Sequence, residues 1–210
     1  MKHLFYLDNP IIRGLGKFAD LMILNILYLI SCIPLFTIGA ATAALYDVTH
    51  RLSIDDALLW KNYWQAFRSN FKQATCIWLI LFAAISVIYI CAVFYWSYEL
   101  PNKDLSLALL AIAALVCICA FSWAFPLQAR FENTVRQTLV NSLLFSWSYL
   151  PKTLLLAILN AVPAIVFLLL PGVFVNFIYV FLFIWFSGSA YLCTLLLKKN
   201  MKQLEAISQE

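Results

Sequence analysis

The sequence predicts an all-α, polytopic transmembrane helical bundle of about six spans, forming one domain over residues 1–210, with cytoplasmic amphipathic linker helices. Three observations predict it. Hydrophobic residues make up 64% of the chain and charged residues 11%, with a mean hydropathy of +0.89, far from the roughly half-apolar, quarter-charged make-up of soluble domains. Residues 21–46, 73–98, 105–129 and 153–197 carry no formal charge, and about 20 apolar residues suffice for a helix to cross a hydrocarbon core of roughly 30 Å. These runs are too long and too uniformly apolar to be the alternating strands of a lipid-facing barrel.

The N-terminal stretch lacks a long apolar core followed by a small-residue cleavage site, so the first span is expected to stay in the mature protein. Asp20 and Asp47 bracket the first uncharged run, with Pro34 near its midpoint. Basic residues mark cytoplasmic loops. A single crossing here would split the 14 Lys and Arg residues 4 to 10, whereas a hairpin at Pro34 splits them 13 to 1, with only Lys103 outside. The hairpin is therefore preferred, with legs at 17–33 and 35–51. Each leg is about 25 Å long if fully helical, slightly short of the core. The second leg is rich in small residues, including Gly39, Ala40, Ala43 and Ala44. Gly39 and Ala43 form a small-xxx-small pair of the kind that lets helix backbones approach closely, which places this leg inside the bundle.

Ser53 followed by Asp55 and Asp56 reads as a helix start, with an N-cap and two acids in the first turn. The amphipathic linker at 54–72 sets Trp60, Trp64, Phe67 and Phe71 on one face and Lys61, Gln65, Arg68 and Lys72 on another. Such a helix lies at a membrane interface or serves as a docking face for a cytoplasmic partner or lipid headgroup. Spans at 73–98 and 105–129 follow, with Pro126 as a candidate hinge where the chain leaves the membrane. A second linker at 130–150 places Phe131, Val135, Leu139 and Leu143 at i, i+4 steps. Residues 67–71 and 145–149, each followed by a threonine, read as a short internal repeat. The run 153–197, broken at Pro171-Gly172, supplies spans at 152–170 and 173–197, with Pro163 a further candidate hinge.

No GxSxG, Walker A or HExxH motif occurs, and no paired carboxylates fall inside a span, so no catalytic residue is assigned and no enzyme is expected. The six cysteines are scattered without repeated spacing; they read as small buried hydrophobes, and neither a metal nor a cofactor is expected. Asp20 and Asp47 stand out because acids at membrane depth often mark ion or proton paths. Asp47 lies one turn before Arg51, a favourable ion-pair spacing. Asn25, Asn160, Asn176, Ser187, Gly188 and Ser189 lie within spans, where interhelical hydrogen bonding and close packing account for them. His50, beside Arg51, reads as a solvated interfacial histidine.

The run Ile33-Pro34-Leu35-Phe36-Thr37-Ile38-Gly39-Ala40-Ala41-Thr42-Ala43-Ala44-Leu45-Tyr46, with Trp64-Gln65-Ala66-Phe67-Arg68-Ser69-Asn70-Phe71-Lys72-Gln73-Ala74 after it, resembles the YesL family of small bacterial multi-pass membrane proteins. The resemblance implies a place in the cell membrane and a role in plant cell-wall polysaccharide use, such as type I rhamnogalacturonan degradation. It supplies no catalytic residues. The expectation is a non-enzymatic accessory to oligosaccharide uptake or sensing, with the lipid bilayer and an ABC-type importer subunit or sensor kinase as partners, both termini cytoplasmic, and no nucleic acid. The alternative is a carrier for a sugar or ion, built around the Pro34 hairpin and the Asn160/Pro163 region, with Asp47 sensing protons.

Overall fold

The computed structural model describes residues 10–53, 59–98, 102–131 and 133–208, and among them the chain is helical with no strand. The helices are α1 (Pro10–Ser31), α2 (Ile38–Leu52), α3 (Leu59–Ser97), α4 (Lys103–Gln128), α5 (Val135–Ser148), α6 (Leu150–Leu169), α7 (Pro171–Asn176), α8 (Ile178–Val180) and α9 (Phe186–Ser208), with a π-helical segment at Phe181–Trp185 between the last two. Five stretches among the described residues are long and apolar enough to cross a membrane: Gly14–Ser31, Leu59–Ser97, Lys103–Gln128, Leu150–Leu169 and Ile178–Lys198. The fold is a helical membrane bundle.

Pro34 turns the chain between α1 and α2 with extended backbone, and a single 3₁₀ turn at Leu35–Thr37 starts the return. The Thr37 hydroxyl lies 2.6 Å from both the Ser31 and the Pro34 carbonyl oxygens, stapling the turn. The returning helix α2 has 15 residues, about 22 Å of rise, and eleven of them are buried. Lipid cannot reach such a helix. It packs on α3, α4 and α9 as the centre of the bundle. Gly39 makes the tightest of these contacts: a Cβ added there would overlap the Ala74 carbonyl oxygen and come within 2.6 Å of the Trp78 Cβ. The indole of Trp78 donates to the Leu35 carbonyl at 2.9 Å, which fixes the start of α2 against α3.

Several sequence expectations are corrected here. The linker at 54–72 and the span at 73–98 are one helix: α3 runs unbroken for 39 residues, about 58 Å, because no Gly or Pro interrupts it and the change from polar to apolar composition at residue 73 does not break a backbone ladder. Residues 59–72 therefore continue the axis of the span. The first-turn acids Asp55 and Asp56 lie outside the described residues; Ser53, expected as an N-cap, instead donates its hydroxyl to the His50 carbonyl at 2.6 Å and closes the end of α2. The second linker begins at Val135, not 130, because Thr134 and Gln137 form a reciprocal capping box, the T-x-x-Q signature of a helix start. The internal repeat fails, since 67–71 sits in the middle of α3 whereas 145–149 ends at a break, where Tyr149 leaves helical geometry. Pro126 lies in the last turn of α4, so it ends a helix without bending a longer one. Of the cysteines only Cys193 is buried, and Cys76 is exposed on the bundle surface.

The C-terminal region is irregular. Pro171 opens α7, none of whose six residues is buried, and the π segment follows after Phe177 and the short α8, along a broken helix. Asn25 of α1, fully buried, holds that irregularity in place. Its amide nitrogen donates to the carbonyls of Leu182 at 2.7 Å and Phe181 at 3.2 Å, and its oxygen accepts from the Ser187 backbone N–H at 2.9 Å. The amide thus stands in the gap between a carbonyl and the N–H five residues on, inserted into the ladder in place of a direct backbone bond.

Candidate functional site

A cleft of about 760 Å³ opens where the C-terminal end of α2, the polar half of α3 and the segment after α4 meet, within the usual range of about 300–1,000 Å³ for ligand sites. The helical period produces it. Asp47 and Arg51 sit one turn apart on α2, while Gln65, Arg68, Ser69, Lys72 and Gln73 recur on the facing side of α3. Arg130 closes the third wall just beyond α4. Four cationic side chains thus face one carboxylate among the described lining residues.

The walls are fixed by a polar network. Gln128, 3% exposed, donates to the Gln73 side chain at 2.6 Å and accepts from the Thr138 hydroxyl at 2.9 Å, tying α4 to both α3 and α5. Arg51 donates through Nε to Asp47 at 3.0 Å. Both partners are partly exposed, so this pair adds at most about 1 kcal/mol of stability; its effect is to orient the guanidinium. On the same half of α3, Trp60, Trp64, Phe67 and Phe71 form a ladder with ring centroids 5.6–6.0 Å apart. Trp64 and Phe67 pack against the core, whereas Trp60 is 64% exposed.

The structure brings Asp47, Arg51, Arg68 and Lys72 together and leaves the other sequence candidates elsewhere. Asp20 lies on α1, away from the cleft, and Pro34 marks the opposite end of α2. Ala40, Ala43 and Ala44 are fully buried in the α2 core beside Gly39. Gly188 is no close-packing site, since a Cβ there would meet only Ile184 Cγ1 at 3.8 Å; its neighbours on α9 leave room that a side chain could fill. Asn160 and Pro163 lie within α6, where the Asn160 amide donates to the Leu156 carbonyl at 2.9 Å. Asn176 is exposed at the end of α7. Sequence reasoning missed Gln73, Gln128 and Thr138, whose partners lie on three different helices and leave no local signal. It also missed Trp123, which is fully buried, donates to Thr153 at 2.8 Å and stacks on Phe145 and Tyr149.

Long apolar helices around a buried, small-residue helix, with a basic cleft at one end, define a multi-pass helical membrane protein. A family model described as "Protein of unknown function, DUF624" matches residues 21–91, a stretch that holds the second half of α1, the Pro34 turn, all of α2 and most of α3, and so two of the three walls of the cleft. No curated protein and no solved structure matches the chain.

Proposed function

We propose that this chain is a non-enzymatic integral protein of the bacterial cell membrane that assists an oligosaccharide uptake or sensing system. In this reading the basic cleft docks an acidic surface of a cytoplasmic partner, such as an ABC-type importer subunit or a sensor kinase. The observation that carries it is the excess of cations among the described residues of the cleft, Arg51, Arg68, Lys72 and Arg130 against Asp47, on walls held by Gln73, Gln128 and Thr138. Electrostatic complementarity of this kind steers association and fixes register. The carbohydrate side of the reading rests on the resemblance of residues 33–46 and 64–74 to the YesL family, which implies a role in the use of plant cell-wall type I rhamnogalacturonan. The topology proposed with it has six crossings, counting α2, and puts both termini and the cleft on the cytoplasmic face. Labelling of single cysteines at positions 2, 61 and 103 should place the first two together and the third opposite.

Native co-purification with mass spectrometry tests the docking. The wild-type chain should retain an importer or kinase subunit, and Arg68→Glu with Lys72→Glu should lose it; retention of lipid alone by both would refute the proposal. The second reading is a carrier. It is favoured by the broken helix at 171–185 beside an interior chamber lined in part by Asn160, since carriers bind substrate near interrupted helices. Reconstituted protein would then move a sugar or ion across liposomes, and absence of flux over a broad oligosaccharide and cation panel counts against it.

A further inference from the structure

An interior chamber of about 150 Å³ lies among α1, α2, α3, α4, α6 and α9, walled chiefly by Tyr28, Tyr46, Trp78, Phe125, Trp185 and Phe186. It adjoins a groove of about 280 Å³ on the flank formed by α6 and α9, floored by Gly188 between Ile184 and Leu192. Leu159, Trp185 and Ser189 line both. The two spaces thus lie side by side, separated by these three side chains.

The chemistry of the lining selects what can occupy it. No charged side chain lines either space, and an ion placed there would lose its hydration without a counter-ion. The occupant is neutral. A volume of about 150 Å³ matches an apolar cavity that takes benzene, and equals the share of about five waters, each of which needs two to four polar partners. Most polar groups on these walls already have partners within the protein. The polar groups at the chamber are the Tyr28, Thr42, Tyr46 and Ser189 hydroxyls, the Asn160 amide and the Trp78 and Trp185 indoles; the Tyr28 hydroxyl lies 3.5 Å from that of Thr42, the Asn160 amide donates to the Leu156 carbonyl at 2.9 Å, and the Trp78 indole donates to the Leu35 carbonyl. The Trp185 indole N–H is buried and has no hydrogen-bond partner. The Thr42 and Ser189 hydroxyls spend their protons on the carbonyls of Ile38, at 2.7 Å, and Phe186, at 3.0 Å, leaving oxygen lone pairs as acceptors. A group that accepts from the Trp185 N–H and donates to one of these hydroxyl oxygens satisfies the unpaired donor, and a hydroxyl does both.

The position of Trp185 is itself built. It closes the π segment that the Asn25 amide holds open, and single π turns of this kind recur at functional sites. Gly188 fits the same picture, since no neighbour requires a glycine there and its missing side chain is what leaves the groove open. We propose that chamber and groove together bind an uncharged lipid with a terminal hydroxyl, the hydroxyl against Trp185 and the Ser189 and Thr42 oxygens, the apolar chain in the groove over Gly188. This binding is independent of docking at the basic cleft.

Photolabelling of the full-length protein in nanodiscs with a diazirine-bearing hexadecanol tests it. Label should fall on peptides containing Leu159 and residues 180–192, and unlabelled hexadecanol should displace it, while hexadecane and hexadecyl sulfate should not. Gly188→Leu fills the groove and should cut labelling by about tenfold or more. Trp185→Phe keeps the ring but removes the N–H, and should weaken displacement by hexadecanol about five- to tenfold. Equal displacement by hexadecane, unchanged labelling in both variants, or protection by a free oligosaccharide in place of the alcohol would overturn the proposal; should Gly188→Leu fail to fold, Trp185→Phe decides alone.

Discussion

The α2–α3 contact and the segment 171–189 use opposite means to hold a helix inside a bundle. In the first, small residues do it: α2 is buried along most of its length, and Gly39 lets two backbones meet. In the second, bulky aromatics dominate, α7 contributes no buried residue, and the regular ladder gives way to a π segment braced by one amide from α1. Lipid tails are as apolar as leucine, so bulk alone gains little by moving from lipid to protein. Close approach and buried hydrogen bonds are what secure a helix there. The first region is consequently built for rigidity, and the second leaves volume beside it.

The sharpest way to break the contrast is Gly39→Ala. The new methyl meets the Ala74 backbone and the Trp78 Cβ, neither of which can yield as a flexible side-chain tip would, so α2 and α3 must part. A loss of about 3 kcal/mol is expected, read as a fall in melting temperature in detergent or nanodiscs. Asn25→Leu comes next. It leaves the Leu182 carbonyl and Ser187 N–H without their bridging amide, and costs about 2 kcal/mol, with faster hydrogen exchange confined to residues 181–187. Trp123→Phe retains the stack on Phe145 and Tyr149 but removes the bond to Thr153; about 1 kcal/mol is expected. Gly188→Ala should change stability by less than about 0.5 kcal/mol. A drop as large as that of Gly39→Ala would erase the distinction between the two glycines.

Those glycines also mark how far the sequence could be read. Long uncharged runs identify a membrane bundle because hydropathy reports the solvent around a helix. The same property says nothing about continuity: polar residues 59–72 and apolar residues 73–97 share one axis, since only a backbone breaker would separate them. Gly39 and Gly188 look alike in sequence, each beside other small residues, yet what a Cβ would meet is decided by helices far away in the chain. Asn25 is the extreme case, with partners 156 to 162 residues distant. In the cleft, Asp47, Arg51, Arg68 and Lys72 could be picked out by charge and helical spacing. Gln73, Gln128 and Thr138 could not, because a neutral amide becomes a wall only when its partner arrives from another helix.

Reversing charge in the cleft, with Arg68→Glu and Lys72→Glu, should move stability by less than about 0.5 kcal/mol, because both side chains are exposed. The effect belongs to binding. Site-specific photocrosslinking in living cells from a benzoyl-phenylalanine placed at position 69, on the cleft wall between them, is the most direct measurement of that role. The docking account predicts a discrete adduct with a cytoplasmic subunit of an importer or kinase, abolished when Arg68 and Lys72 are reversed; adducts with lipid alone, or a protein adduct indifferent to the reversal, would contradict it.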